Sequence, residues 1–411
     1  MIVKDAQQTS RRKTRLSDIP GGIWALGFVS LLMDVSSEMI HALLPVYLVS
    51  VFGVSMATVG LIEGAAEATA SIVKIFSGAL SDWLGKRKLL AVIGYGVAAA
   101  TKPIFPLASG VGWLVAARLI DRVGKGVRGA PRDALVADIS PPHLRGASFG
   151  LRQSLDTIGA FLGPMLAIAL MQASGDDFKL VFWVATIPAI LCVLVLLAAV
   201  REPAPSKPRG AARFPLRAAE LAGLGRAYWL VTLVAAVFAL ARFSEAFLIL
   251  RARDAGLPIA LAPLVLVAMN LVYAPCAYPV GVLSDRLGRL PPLYIGLLLL
   301  IGADIALAAP ASLATVALGV ALWGLHMGFT QGLLATLVAD SAPAALRGTA
   351  FGVFNLVGGV ATLAASLIAG ALWDHFGAAV AFGAGAGFAA LALIGLALAH
   401  RAAPQIGAGH A

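Results

Sequence analysis

The sequence predicts an all-α membrane protein of twelve transmembrane helices in two six-helix halves, and three observations carry that prediction. Apolar residues fill 60% of the 411 positions and charged residues 13%, where a soluble domain carries about 25% charge. That is too little charge to coat a water-facing surface. The apolar residues fall in repeated runs of about twenty, the length at which a helix crosses a bilayer. The runs are continuous rather than alternating, which excludes the closed barrel, the other architecture that satisfies its backbone in lipid. A soluble enzyme and a disordered scaffold are excluded on the same grounds.

The first run starts near Gly21 behind a basic stretch of Arg11, Arg12, Lys13 and Arg15. This imitates a secretory leader, but no small-residue cleavage site follows, so the run is expected to remain as an uncleaved first helix. Spans two to six begin near Ala57, Leu89, Val111, Ala147 and Leu180. A polar connection then runs from Glu202 to Gly225, rich in Pro203, Pro205, Pro208 and Pro215 and in arginine. Spans seven to twelve begin near Tyr228, Ile259, Pro291, Ser312, Gly348 and Ala378. The expected organisation is a tail over 1–20, a first bundle over 21–200, a central loop over 201–227, a second bundle over 228–400 and a tail over 401–411.

The net charge of +10 follows the membrane topology and calls for no nucleic-acid partner. Lys86, Arg87 and Lys88 follow helix 2, Arg132 and Arg145 lie between helices 4 and 5, and Arg201, Lys207, Arg209, Arg213 and Arg217 lie between helices 6 and 7. The alternate loops carry few cations, with Lys179, Arg251 and Arg253 as exceptions. The positive-inside rule therefore places both termini in the cytoplasm of a multi-pass inner (plasma) membrane protein. Cys192 and Cys276 lack metal or disulfide spacing.

The two halves repeat each other. Gly78-Ala-Leu-Ser-Asp82-Trp-Leu-Gly85-Lys86 matches Gly281-Val-Leu-Ser-Asp285-Arg-Leu-Gly288-Arg289, an offset of 203 positions. Ala137-Asp138 with Leu144-Arg145-Gly146 matches Ala339-Asp340 with Leu346-Arg347-Gly348, an offset of 202. Because each copy follows an even number of spans, the halves share one orientation, as in parallel repeats related by an axis along the membrane normal.

The motif G-x-L-x-D-x-x-G-[KR]-[KR], its echo in the second half, the helix count and the central loop together resemble the major facilitator superfamily across essentially the whole chain. The resemblance implies two bundles related by a pseudo-two-fold axis, rocking around a midplane site by alternating access. It also implies that the loop motif gates. Asp82 and Asp285 sit where a helix ends and can pair with Lys86, Arg87, Arg145, Arg289 or Arg347, or with the positive end of a neighbouring helix. Gly78 permits close helix approach, and Gly85 and Gly288 suit tight turns. In helix 5, Gly159, Gly163 and Pro164 approach the G-x-x-x-G-P pattern of many antiporters of this superfamily.

Charges inside the spans mark the candidate site. Asp34, Glu38 and His41 are spaced i, i+4, i+7 on helix 1, Glu63 and Glu67 share a face of helix 2, and Arg118, Arg122 and Lys125 repeat the stripe on helix 4 beside Asp121. Each charge at a span's centre costs about 2.5–3.5 kcal/mol, so these groups must be paired, protonated or wetted. Asp34, Glu38, Glu63, Glu67 and Glu245 are the candidate proton-coupling groups, with Glu38 and Asp34 leading and Arg118 or Arg122 as their counter-charge. His41, Arg118, Asp121, Arg122, Arg242, Asn270, Tyr273, His326 and Gln331 are the candidate cavity residues.

His41 beside Met39 and His326 beside Met327 raise a metal path, but neighbouring residues on a helix point about 100° apart, and no metal or cofactor is expected. No H-E-x-x-H, G-x-S-x-G or phosphate-loop pattern is present, so no enzyme is expected. The expected activity is proton-coupled export of a small organic compound by a monomer in the lipid bilayer. The alternatives are an uptake symporter for an anionic metabolite or metal chelate, and a non-transporting membrane sensor.

Overall fold

The computed structural model describes residues 18–141, 144–202, 221, 223–343 and 346–404. Lys207, Arg209, Arg213 and Arg217 lie outside the described residues, as do most of the expected N-terminal tail and the end of the C-terminal one. The described residues form helices and turns, with no strand among them.

The first half runs α1 (Gly21–His41, resuming as Leu44–Phe52), α2 (Met56–Leu84), α3 (Arg87–Thr101, resuming as Ile104–Leu107), α4 (Val111–Ile139), α5 (Arg145–Ser174) and α6 (Phe178–Ala199). The second half runs α7 (Gly225–Ala241, resuming as Ala246–Asp254), α8 (Leu264–Leu287), α9 (Leu290–Ala308), α10 (Leu313–Ser341), α11 (Arg347–Phe376) and α12 (Ala378–Ala402). Local chemistry sets many of these boundaries. Gly85 ends α2 at φ 64° and Gly175 ends α5 at φ 68°, a left-handed conformation that suits glycine. Asp177 caps α6 by accepting from the backbone N–H of Lys179 and Leu180, and Ser312 and Thr315 form a capping box on α10.

Two of the three interruptions have a proline cause. Pro45 has no N–H for the carbonyl of His41, and Pro103 starts the second piece of α3, so the regular ladder fails at both places. The gap in α7 between Ala241 and Ala246 contains no proline. It is held from outside, where the Ser244 N–H donates to Ser366 Oγ of α11 at 3.2 Å.

Ten of these helices are long and apolar enough to cross a membrane on composition. The other two are α2 and α4. At 29 residues each they have the length, but they carry most of the intramembrane charge. Their outward sides are otherwise lipid-compatible: α4 exposes Trp113, Ile120 and Val123 and buries Arg118, Asp121 and Arg122. On α6, exposed Trp183, Ile187, Ile190, Leu194 and Leu197 form one helical stripe facing the hydrocarbon.

The halves pack alike. Helix α1 lies against α5 and α6, and α4 against α2 and α3; in the second half α7 lies against α11 and α12, and α10 against α8 and α9. The bundles meet chiefly along α2 and α11. There Gly60 faces Ser366, Gly64 faces Leu363, Gly359 faces Ala68 and Ser71, and Gly370 faces Met56 and Ala57. A Cβ at Gly64 would stand 3.0 Å from Leu363 Cα, so glycine is what lets these backbones approach.

Candidate functional site: a cavity between the bundles

A cavity of about 490 Å³ lies on the seam between the halves. One end carries the α2–α3 and α8–α9 turns and most of the loop cations among the described residues; this is the basic end. The opposite end is closed. There the second pieces of α1 and α7 pack on each other, and Asp374 of α11 accepts from the N–H groups of Met56 and Ala57 at 2.8 Å each. One carboxylate thus satisfies two of the free donors at the start of α2, across the bundle boundary.

The first bundle gives the cavity a charged wall. Glu38 and His41 of α1, Glu63 and Glu67 of α2, and Arg122 and Lys125 of α4 line it. Parallel helices α2 and α4 form two rungs of ion pairs: Arg118 Nη2 to Glu63 Oε2 at 2.5 Å and Arg122 Nη1 to Glu67 Oε1 at 3.2 Å. The i, i+4 spacing on both helices makes the rungs possible, because it brings each pair of side chains onto one face. His41 bridges α1 and α2, with Nδ1 3.3 Å from Glu38 Oε2 and Nε2 3.7 Å from Glu63 Oε2.

The expected counter-charge for Glu38 was Arg118 or Arg122. Both arginines instead pair with α2, because α4 packs against α2 and leaves Glu38 to the histidine one turn along its own helix. Arg118 and Asp121 stand behind the wall. Asp121 pairs with Lys102 Nζ at 2.8 Å, and Lys102 also donates to Ser37 Oγ at 3.1 Å. Asp34 does not line the cavity either. It faces Asp156 of α5, where Gly159 packs on Leu31 and Asp34, and Gly163 packs on Val35 and Glu38. Pro164 follows inside α5.

The second bundle gives an aromatic wall with few charges. Phe238, Arg242, Phe243, Glu245, Asn270, Trp323 and Asn355 line it. Phe243 meets Trp323 at 5.8 Å and Phe247 at 5.4 Å between ring centroids. His326 is not a lining residue: its Nδ1 donates to the Gly296 carbonyl at 2.8 Å, and its ring packs on Phe238 and Trp323. Tyr273 is half-buried on α8 away from the lining. The side chain of Gln331 lies outside the described residues.

At the basic end, Arg87 pairs with Asp138 at 3.0 Å, and Arg289 approaches Asp340 at 4.0 Å. Both members shift by 202 positions between the halves, so the two pairs are equivalents within their own bundles. Aligning the motifs on their glycines equates Arg289 with Lys86. The ion pairs move that register by one and equate Arg289 with Arg87. Glu202 accepts from the N–H groups of Arg87 and Lys88 and so caps α3. Gly78 faces Ala130, Lys86 and Arg145 are exposed, and Gly288 takes φ 85°. The side chains of Asp82, Asp285 and Arg347 lie outside the described residues.

Two buried ionisable groups stand outside the helical stripes of charge. Lys102 is 1% exposed, and Asp304 of α9 is fully buried against Gly385 and Phe243 with no hydrogen bond to either oxygen. Each is a lone charge in an apolar run, and that isolation was its only signal in the sequence.

The profile of the Major Facilitator Superfamily matches residues 26–366. An MFS-type transporter of Methanocaldococcus jannaschii is 33% identical over 91% of this chain and 94% of its own length. The quinolone resistance protein of Staphylococcus aureus is 27% identical over 46% of this chain and 47% of its own. Among solved structures, a bacterial homologue of the human lysosomal transporter Spinster, in an inward-facing and occupied conformation, superposes with a TM-score of 0.76 at 19% identity, covering 92% of this chain and 96% of that one; at that identity the likeness speaks for the fold. With a family profile over most of its length and a relative alike from end to end, the chain belongs to the Major Facilitator Superfamily of secondary transporters.

Proposed function

We propose that this transporter exports a small organic compound from the cytoplasm in exchange for protons, working as a monomer whose two bundles enclose the whole pathway. The observation that carries the coupling is the string Glu38–His41–Glu63 in the cavity wall, tied at its far end to Arg118. A proton arriving at the cavity changes the charge balance of a histidine shared by two helices, α1 and α2. These two helices belong to different contact sets: α1 packs on α5 and α6, and α2 on α11 of the other bundle. Protonation on this string therefore acts where the bundles are joined.

The basic end faces the cytoplasm on charge grounds, so closure at the Asp374 end makes this the conformation that accepts cargo from inside. The likeness of part of the chain to a quinolone resistance protein supports the export direction. The uptake reading is favoured by one observation alone, the cations in the cavity.

The test is made in a drug-hypersensitive bacterial host and then in proteoliposomes. Production of the protein should give resistance to at least one class of toxic organic compound. A protonophore should remove it, and so should Glu38→Gln at unchanged protein level. In proteoliposomes the same variant should exchange substrate without being driven by a pH gradient. Gain of uptake in place of resistance would favour the symporter, and full gradient-driven flux in Glu38→Gln removes the string from coupling.

A further inference from the structure

The core face of α9 is built of Leu300, Ala303 and Leu307, each 0% exposed, and Asp304 stands among them, equally buried. Neither of its oxygens has a hydrogen-bond partner among the described residues, and none of their charged side chains is close enough to act on it. The nearest such groups on the surrounding helices are placed elsewhere. Arg251, in the second piece of α7, donates to the Leu307 and Ala309 carbonyls at the end of α9. His326 of α10 bonds to the Gly296 carbonyl, about two turns along α9. Arg242 and Glu245 of α7 line the cavity, and His400 and Arg401 stand in the last turn of α12.

We propose that Asp304 is a second proton-binding site, held in the second bundle behind the cavity wall, with the Phe243 ring as its gate. The assignment rests on the transport reading above and adds a proton site to it. A leucine would complete the core face of α9, so the acid stands there against the packing, and such departures from local consistency concentrate at functional positions. An ionised carboxylate without a partner is costly in this place, whereas a bound proton neutralises it with no further ligand. A metal cation would need several more donors, and no group of three or more histidine, cysteine, aspartate or glutamate side chains gathers for one among the described residues.

Gly385 of α12 shows how close the gate stands. A Cβ placed on it would lie 2.7 Å from Asp304 Oδ2 and 3.0 Å from Phe243 Cε1, so carboxyl and ring are neighbours in the space that glycine leaves. Phe243 lines the cavity and Asp304 does not. The ring is 5.3 Å from Phe382 and 5.8 Å from Trp323 between centroids, and these rings continue the apolar surroundings of the carboxyl. Phe243 lies in the interruption of α7, whose Ser244 N–H is held by Ser366 Oγ, and the Ser366 carbonyl faces Gly60 of α2. The gate is thus tied to the seam between the bundles, close to the closed end. When that end opens and the seam parts there, the tie moves and Phe243 moves with it. Asp304 keeps its proton while the end is closed and exchanges it with the cavity when it opens.

Infrared difference spectroscopy on the purified full-length protein in lipid tests the site. At neutral pH the wild type should show the C=O stretch of a carboxylic acid free of hydrogen bonds, absent from Asp304→Asn. In heavy water that band should shift at least about tenfold faster in Phe243→Ala than in the wild type. Spin labels on Val54 and Leu257 report on the closed end. Its open population should rise with pH in the wild type, because loss of the proton favours the conformation in which Asp304 reaches water. Asp304→Asn stays neutral and should lose at least about half of that rise. Asp304→Ala carries both readouts should the Asn variant fail to elute as a monodisperse species. A wild-type spectrum without the band, or a pH response kept in full by the Asp304 variant, overturns the site, and equal exchange in wild type and Phe243→Ala overturns the gate. Glu38→Gln in the same assay keeps the two readings apart. The response it removes belongs to the Glu38–His41–Glu63 string and the response that Asp304→Asn removes belongs to this site, so either can fail while the other stands.

Discussion

Glu63 is 1% exposed and Arg118 2% exposed, and each is the other's main counter-charge. Arg118→Ala would leave the carboxylate buried without its contact partner, with His41 and the more distant Arg122 as its remaining neighbours, a loss of about 3–5 kcal/mol by analogy with other broken buried pairs. The expected readout is a large drop in apparent Tm in detergent. Replacing both residues by methionine should recover most of it, since neither charge is then left stranded; equal drops in the single and double variants would show that the pair does more than neutralise itself. At this scale the sequence exposed the charges and concealed their partners. Asp34, Glu38 and the arginines of α4 stand out because charges are rare in apolar runs, whereas the choice of Glu63 over Glu38 as the mate of Arg118 is made by helix packing. Lys102 pairs with Asp121 through the interruption in α3, which no spacing rule on one helix contains.

The seam between α2 and α11 is an element-scale device. Glycines bring the backbones together over its length, and Asp374 pins the start of α2 at the closed end. Replacing a helix-capping side chain by alanine typically costs about 1 kcal/mol, so Asp374→Ala should shift the balance between closed and open far ends by about fivefold toward open. Distances between spin labels on Val54 and Leu257 would report this as a larger long-distance population, and an unchanged distribution would deny the contact any part in closure. Gly64→Leu should act more strongly through sterics, holding the seam apart. Twelve spans and their order were legible from hydropathy and punctuation, and the interruptions of α1 and α3 have prolines to announce them. The interruption of α7 does not: it depends on Ser366, 122 residues away. The duplicated loop motif was legible too, with its glycines offset by 203 and its Ala-Asp and Leu-Arg-Gly segments by 202; the ion pairs Arg87–Asp138 and Arg289–Asp340 follow the second offset, because glycines align backbones and ion pairs align side chains.

For the whole molecule, the low apolarity of α2 and α4 bears on how the chain enters the membrane during synthesis. Glu63 is translated 55 residues before Arg118. Until the arginine emerges, α2 holds two carboxylates whose transfer into lipid costs about 2.5–3.5 kcal/mol each. Helix α2 should therefore wait at the translocon, or slip back, until α4 arrives to neutralise it. A chain truncated after α3 should leave a cysteine in the 50–56 loop poorly reachable by a membrane-impermeant thiol reagent applied on the side opposite the basic end. Extending the chain through α4, or substituting Glu63→Gln with Glu67→Gln, should restore labelling, while efficient labelling of the short wild-type chain would contradict the idea. The ion pairs of the cavity wall then set a minimum nascent length, four helices, below which the first half has no stable topology.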